Sequence, residues 1–322
     1  MKAIRVSAPG GTEVLRLENV PTPVPQEGEV LVRIEAAGVN FIDVYYRTGQ
    51  YRGAFPLTLG TEGAGTVEAV GSGVQGVGPG DRVGSVNFAG SYAEYATAKA
   101  DRTVPVPQGV TTRQAAAALL QGMTAHYLAR STYPLRPGDT CLVHAAAGGV
   151  GLLLCQIGRK AGAHVIGTAG GPEKVALARG AGAQEVIDYR KESFVDEVRR
   201  ITQGRGVQVV YDSVGKDTFA GSLDCLAVRG TLALFGQSSG KVEPLDPQIL
   251  NQKGSLYLTR PTLWHYVARR EELEERSGDV LGWIAKGELA VKVFREIPLA
   301  DAAEAHGLLE GRQTSGKVLL IP

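Results

Sequence analysis

Cysteine is scarce in this chain: three residues among 322, Cys141, Cys155 and Cys225, an odd number with no CxxC spacing. That excludes a disulfide framework and reads as buried thiols in a reducing cytoplasm. Histidine is scarce too, five residues without metal-ligand spacing, and His126 and His144 stand in apolar surroundings that suit core or pocket-wall positions. No metal site is expected. No segment approaches the ~18 uninterrupted apolar residues of a membrane span. Met1 leads directly into KAIRVSAPG, which lacks an apolar signal core. The expectation is a soluble, cytoplasmic protein with no membrane partner. Charge of one sign is also missing: 34 basic and 33 acidic residues leave +1, no broad footprint for nucleic acid or anionic lipid. Neither a Ser-His-Asp order nor paired carboxylates can be defended, so hydrolase chemistry has no support.

What is present in quantity is glycine, 43 residues, and one glycine cluster is the most informative stretch. From Thr140 to Gly151, TCLVHAAAGGVG, an apolar strand empties into a glycine-rich turn that opens the helix LLLCQIGRKAGA. Such a turn binds a dinucleotide pyrophosphate. Ala146 and Gly148 let the backbone turn tightly and approach phosphate oxygens, Gly149 and Val150 offer the first helical N–H groups, and Gly151 lets the helix pack on the strand. About seventeen residues later HVIGTA ends a second apolar strand, where dinucleotide-binding units read the ribose.

The length suits two domains at about 150 residues each. Residues 1–124 are rich in Val, Gly and Pro, with alternating runs such as EVLVRIEAAGV and GAGTVEAVGSGV, and read as a mostly β domain. TTRQAAAALLQGMTAHYLA is helical, with Thr111 or Thr112 as its cap. Over 125–287 the pattern alternates strand and helix: TCLVHA, HVIGTA, EVIDY, VQVVYDSV, GTLALFG and GSLYLT are the strands. That alternation predicts a parallel sheet covered on both faces, with its ligand at the strands' carboxyl ends. WHYVARREELEERSGDVLGWIAKG is a further helical region stopped by Gly287, and 288–322 returns to the first domain.

The segments AAGVNFIDVYYRTGQY, LGTEGAGTVEAVGSGV, GDRV, AAAGGVG, YDSVG, FGQSSG and GRQTSGKVLLIP together resemble the medium-chain dehydrogenase/reductase superfamily, and within it the quinone oxidoreductase, zeta-crystallin-like branch. The resemblance implies an α/β fold, a Rossmann doubly wound parallel sheet inserted in chain order into a GroES-like, mostly β catalytic domain. It also implies an NADPH-dependent quinone reductase acting as a homodimer. The superfamily's alcohol dehydrogenases bind catalytic zinc through a cysteine and a histidine at places that here hold Asn40 and Thr61. An amide and a hydroxyl are poor substitutes, so the chain is expected to be zinc-free. Without a Lewis acid, the attractive substrate is one that takes hydride readily into a conjugated system, such as a quinone or an activated enone. Whether one or two electrons pass stays open.

By the same resemblance Asn40, Asp43, Tyr45, Arg47 and Tyr51 border nicotinamide and substrate. Asn40 and Tyr45 can donate hydrogen bonds to a carbonyl and Tyr51 can wall the acceptor. The alternative is that Asn40 and Asp43 cap a short helix while the tyrosines fill an interface. Thr124 matches a position at the nicotinamide end. After HVIGT the sequence reads Ala169, Gly170, Gly171 and then Lys174, with no acid to grip an NAD ribose, and this favours NADPH over NADH. Lys174, Tyr189 and Arg312 match positions that contact the adenosine phosphate, and cation and phenol suit a dianion. Ser213, Val214 and Gly215, with Phe235, Gly236 and Ser238, end two central strands beside ribose and nicotinamide, and Arg260 is assigned to the cofactor as well. GSLYLTRPT reads as an edge strand, and the branch pairs such edges, near residues 254–260, across a homodimer. Two other functions stay open: reduction of an activated C=C bond in an enone, enal or enoyl thioester, and an RNA-binding or structural crystallin-like role.

Overall fold

The alternating runs of the first hundred residues fold as eight short strands in the computed structural model, which describes residues 1–322. They are β1 (Lys2–Val6), β2 (Arg16–Asn19), β3 (Glu29–Gly38), β4 (Leu57–Thr58), β5 (Glu62–Val70), β6 (Arg82–Ser85), β7 (Tyr95–Lys99) and β8 (Thr103–Pro105). On β3 Val30, Val32 and Ile34 are buried while Arg33 faces water, and Leu31, on the Arg33 side, is buried as well. Val30, Val32 and Ile34 join Ile4, Val6, Val67 and Tyr92 in one apolar core. One α-helix interrupts this stretch, α1 (Phe41–Arg47), and α2 (Thr112–Tyr127) follows it. Thr111 is the cap of α2: its hydroxyl accepts the Gln114 N–H at 3.1 Å and Gln114 Oε1 accepts the Thr111 N–H at 2.9 Å.

Strand and helix then alternate: β9 (Thr140–Val143), α3 (Gly149–Lys160), β10 (His164–Ala169), α4 (Pro172–Gly180), β11 (Glu185–Asp188) and α5 (Phe194–Ile201). The series continues with β12 (Val207–Asp212), α6 (Phe219–Asp224), β13 (Leu226–Leu234), α7 (Gln248–Gln252), β14 (Tyr257–Thr259) and α8 (Leu263–Tyr266). Every strand pair is parallel, in the spatial order β11-β10-β9-β12-β13-β14. In chain order that is 3-2-1-4-5-6, the Rossmann arrangement, whose switch point lies between β9 and β12. Leu142, Ile166, Val210 and Leu232 sit at the centre of its core. The LAV of GKDTFAGSLDCLAV belongs to β13, not to the preceding helix.

The chain finishes with α9 (Arg270–Ala285), β15 (Val293–Pro298), α10 (Ala302–Glu310) and β16 (Lys317–Ile321). These return to the first unit: β16 pairs antiparallel with β3, setting Leu319 opposite Gly38, and the sheet runs β15-β16-β3-β5-β6-β8 with β7 also on β3. The first unit therefore comprises Met1–Met123 and Val267–Pro322, the second Thr124–Tyr266. Sequence places the second boundary at 287, whereas α9 packs with the first unit. The cause is local: Arg270 donates to the Asp101 and Thr103 carbonyls, and Val280 fills the space a side chain at Gly122 would take.

Candidate active site

In the first unit the residues expected at the site lie along α1 and the loop after it, and α1 begins where β3 ends. Asn40 precedes the helix and Asp43 reaches back to accept its N–H at 2.9 Å, so the capping alternative is realised. The Asn40 side chain is turned to other partners. Its Nδ2 donates to Gly38 O at 3.1 Å and to Glu62 Oε2 at 2.8 Å, while its Oδ1 accepts from Lys317 Nζ at 2.7 Å. Lys317 also donates to Glu62 Oε2 at 2.5 Å, in an ion pair with side-chain exposures of 1% and 0%. Glu62 Oε1 takes the Leu120 N–H from the middle of α2 at 2.7 Å. A carboxylate that accepts two N–H groups beside an ammonium is an internally neutralised cluster, which is what makes its burial tolerable.

A second buried chain leads away from Asp43. The Tyr92 hydroxyl donates to Asp43 Oδ2 at 3.0 Å and lies 3.3 Å from His306 Nε2, while Arg47 Nη1 lies 3.1 Å from His306 Nδ1. Arg47 then grips both oxygens of Glu310, at 2.9 and 2.8 Å. Burial pushes the Asp43 carboxyl up to about 7 against the Asn40 and Tyr92 hydrogen bonds, and Asp43 Oδ1 has no partner. Burial, helped by the Arg47 charge, holds the His306 imidazole down to about 3. Arg47 is 1% exposed, engaged by His306 and Glu310 of α10, and its Nε donates to the Gly10 carbonyl at 3.2 Å. The structure thus brings Asn40 and Asp43 together and seats Arg47 elsewhere, inside the unit.

The remaining two residues of that segment meet as rings. Tyr45 and Tyr51 have centroids 5.2 Å apart, with Phe41 6.2 Å from Tyr45 and Tyr46 edge-on to Tyr51. The Tyr51 N–H donates to the Tyr45 carbonyl at 2.9 Å, which folds the loop after α1 back over the helix. Sequence reading does not single out Glu62, Lys317, Tyr92 or His306. The signal for two of them is visible: Glu62 stands in LGTEGAG and Lys317 in GRQTSGKVLLIP.

In the second unit the glycine-rich turn runs from His144 to Gly148 at the end of β9. Its left-handed residue is Ala145, at φ 50, while Gly148 has φ −77, so a tight turn is not what requires glycine there. A Cβ on Gly148 would meet only Ala145 O, at 3.1 Å, and otherwise point into open space, as a surface kept clear for a bound group does. Gly151 is different. A Cβ there would drive into the Ala145 carbonyl and come within 2.8 Å of Ala146 Cα, so α3 could not seat on the turn. Gly149 and Val150 open α3, with their N–H groups at its positive end.

At the end of β10, Gly170 and Gly171 face basic and phenolic groups: a Cβ on Gly170 would lie 2.6 Å from Tyr189 Oη and 3.0 Å from Arg190 Nε. Burial and the neighbouring Arg190 charge lower the Lys174 ammonium. Asp188 points Oδ1 at the Gly171 and Arg190 N–H groups, at 3.0 and 3.2 Å, and Glu173 stands in the first turn of α4. Arg190 is a cation beside both glycines that the sequence reading does not name. The turns after β12 and β13 are stitched together: the Phe235 and Gly236 N–H groups donate to Asp212 O and the Ser238 N–H to Ser213 O, and a Cβ on Gly236 would strike Ser213. Gly215, at φ +90, is buried in this turn, and Val214 lies beside it. Thr124 is the first residue of the unit and is buried; Arg260 follows β14, near Tyr127. Arg312 belongs to the first unit, after α10, at φ 55.

Fold and turn together define a medium-chain dehydrogenase/reductase. A family model described as zinc-binding dehydrogenase matches residues 149–274, and one described as alcohol dehydrogenase GroES-like domain matches 26–108. The residues do not fit zinc: no group of three His, Cys, Asp or Glu side chains is placed to hold a metal, Asn40 Oδ1 already accepts from an ammonium, and Thr61 Oγ1 is buried without a partner. The chain is similar to a quinone oxidoreductase of Pseudomonas aeruginosa, at 46% identity over 100% of this chain and 99% of the other. A mycobacterial protein solved in complex with NADPH is 51% identical, and Escherichia coli quinone oxidoreductase, also solved with NADPH, is 46% identical. Each has a TM-score of 0.98 and full coverage of both chains. A 2-haloacrylate reductase of a Burkholderia species is 40% identical over 97% of this chain and 96% of its own. The chain belongs to the quinone oxidoreductase family of the medium-chain dehydrogenases/reductases.

Proposed function

We propose that this protein is an NADPH-dependent quinone reductase that works without a metal ion. The observation that carries the reading is a dinucleotide cradle in a chain whose zinc position is filled by the Lys317–Asn40–Glu62 cluster. Bound NADPH would supply the hydride. The turn Ala146–Gly151 would hold the pyrophosphate, and Gly170, Gly171, Lys174, Tyr189 and Arg312 the adenosine end, where the cations favour the 2′-phosphate. Thr124, Ser213, Val214, Phe235, Gly236, Ser238 and Arg260 would take the ribose and nicotinamide. Tyr45 and Tyr51 would wall the acceptor. Asn40, Asp43 and Arg47 would act by positioning, since the hydrogen bonds of their side chains run to protein groups.

A homodimer through β14 is part of the proposal: the strand is a free sheet edge, with Tyr257 62% and the adjacent Val228 74% exposed. So is a cytoplasmic location, supported by three free buried thiols, of which burial pushes Cys155 and Cys225 up to about 12. A second reading, reduction of an activated C=C bond, is favoured by the similarity to the haloacrylate reductase. Steady-state oxidation of NADPH and NADH against a panel of ortho- and para-quinones, enones and 2-haloacrylate tests both. Turnover with quinones and preference for NADPH are expected; enone or haloacrylate turnover with no quinone turnover would refute the first reading in favour of the second.

A further inference from the structure

Beneath the turns of the second unit lies a hydrogen-bonded chain of four side chains, each no more than 2% exposed. His144, at the start of the glycine-rich turn, places Nδ1 3.0 Å from Thr168 Oγ1 and Nε2 3.0 Å from Ser222 Oγ. Ser222 donates to Asp212 Oδ2 at 2.8 Å. Asp212 Oδ1 in turn accepts the Val214 and Gly215 N–H groups, at 2.8 and 3.0 Å, and the Thr218 hydroxyl reaches both its oxygens. The edge of Phe194 packs on the imidazole, 4.9 Å away, and burial disfavours imidazolium. The donors fix the direction of the chain. Asp212 only accepts, so the Ser222 proton points to it; Ser222 Oγ therefore accepts His144 Nε2–H, and His144 Nδ1 accepts the Thr168 proton.

Thr168, His144 and Asp212 stand at the carboxyl ends of β10, β9 and β12, three adjacent strands. Backbone bonds follow the same route, from the His144 N–H to Tyr211 O and from the Ala146 N–H to Thr168 O. Resting on the dinucleotide reading above, we propose that Thr168–His144–Ser222–Asp212 is a positioning chain. It fixes the turns for adenosine phosphate, pyrophosphate and nicotinamide at one height, so that a single extended ligand meets all three. None of the four is a catalytic residue; they act through the backbone above them.

The test pairs variants that keep shape with variants that keep the hydroxyl. Thr168→Val and Ser222→Ala leave the packing nearly intact and are expected to raise the NADPH dissociation constant about tenfold by calorimetry, with NADH affected in the same ratio, while Thr168→Ser stays near wild type. Nitrogen-15 chemical shifts of His144 are expected to show the Nε2–H tautomer in wild type. Asp212→Asn, whose amide must donate to Ser222, is expected to reverse the chain and give Nδ1–H. Wild-type affinity in Thr168→Val and Ser222→Ala, or an Nδ1–H or imidazolium signal in wild type, would overturn the proposal alone. A wild-type protein that binds no dinucleotide would overturn the reading beneath it as well.

Discussion

Replacing Lys317 by methionine is the most direct challenge to the account of the first unit. The stem of Lys317 is buried and methionine fills much of the same space, so the change removes chiefly the ammonium and its bonds to Asn40 Oδ1 and Glu62 Oε2. Removing one partner of a buried pair leaves an uncompensated charge, at a cost of about 3–5 kcal/mol. Glu62 keeps the Leu120 N–H and Asn40 Nδ2, which places the expected loss near the lower figure. At roughly 2–4 °C per kcal/mol for a domain of this size, the melting temperature should fall by about 6–12 °C. Unfolding followed by circular dichroism, thermally and in urea, measures it. The double variant Lys317→Met with Glu62→Gln removes both charges and should recover most of the loss, which gives the coupling from a double-mutant cycle. A loss below about 1 kcal/mol, the value of an exposed pair, or a double variant no more stable than the single, would show that the cluster is not the neutralised buried group described.

The Asp43–Tyr92–His306 chain predicts opposed pH dependences. Native Asp43 keeps a proton up to about 7 that a free side chain loses near 3.8, so its contribution to stability declines as pH rises through that window. Native His306 resists protonation down to about 3 where a free side chain accepts near 6.5, so its contribution declines as pH falls through that range. Urea midpoints should show the stability difference between wild type and Asp43→Asn shifting against Asp43 toward neutral pH. The difference from His306→Gln should shift the opposite way, and parallel trends would refute the assignment. Gly151→Ala should lose about 1–3 kcal/mol by overpacking the turn against α3 and weaken NADPH binding in calorimetry; unchanged binding would refute the role of that contact. Tyr257→Asp should shift the mass in light scattering from dimer to monomer, and an unchanged mass would exclude β14 as the dimer edge. Arg190→Ala should lower the NADPH-to-NADH affinity ratio by about tenfold, as loss of a charge-assisted contact does.

Features set by neighbours in sequence were legible before any coordinates. The Thr140–Gly151 turn, the six strands beneath it and the Thr111 cap depend on local periodicity and local hydrogen bonds. The Asn40–Asp43 cap was legible as one of two options, because the spacing of three residues suits a cap as well as a site. What stayed hidden joins residues far apart in the chain. Glu62 and Lys317 are 255 residues apart, Arg47 and Glu310 263, and no periodicity announces such a partner. Arg47 illustrates the consequence: a cation two residues after Tyr45 suggests a ligand, and only the fold reveals that Glu310 of α10 and the Gly10 carbonyl engage it. The helical signal of α9 was equally clear, but helical periodicity does not say which unit a helix packs against.

The insertion of one unit inside the other gives biosynthesis an unequal schedule. The nucleotide-binding segment leaves the ribosome as one continuous stretch with all six of its parallel strands. The first unit must wait: Glu62 emerges 255 residues before the ammonium that neutralises it, an interval of roughly 13–50 s at bacterial and eukaryotic elongation rates of ~5–20 residues per second. During that interval β7 already covers Glu29–Arg33 of β3, but the end of the strand at Ala37 and Gly38 lacks β16, so the nascent chain presents an open strand end to chaperones and to other nascent copies.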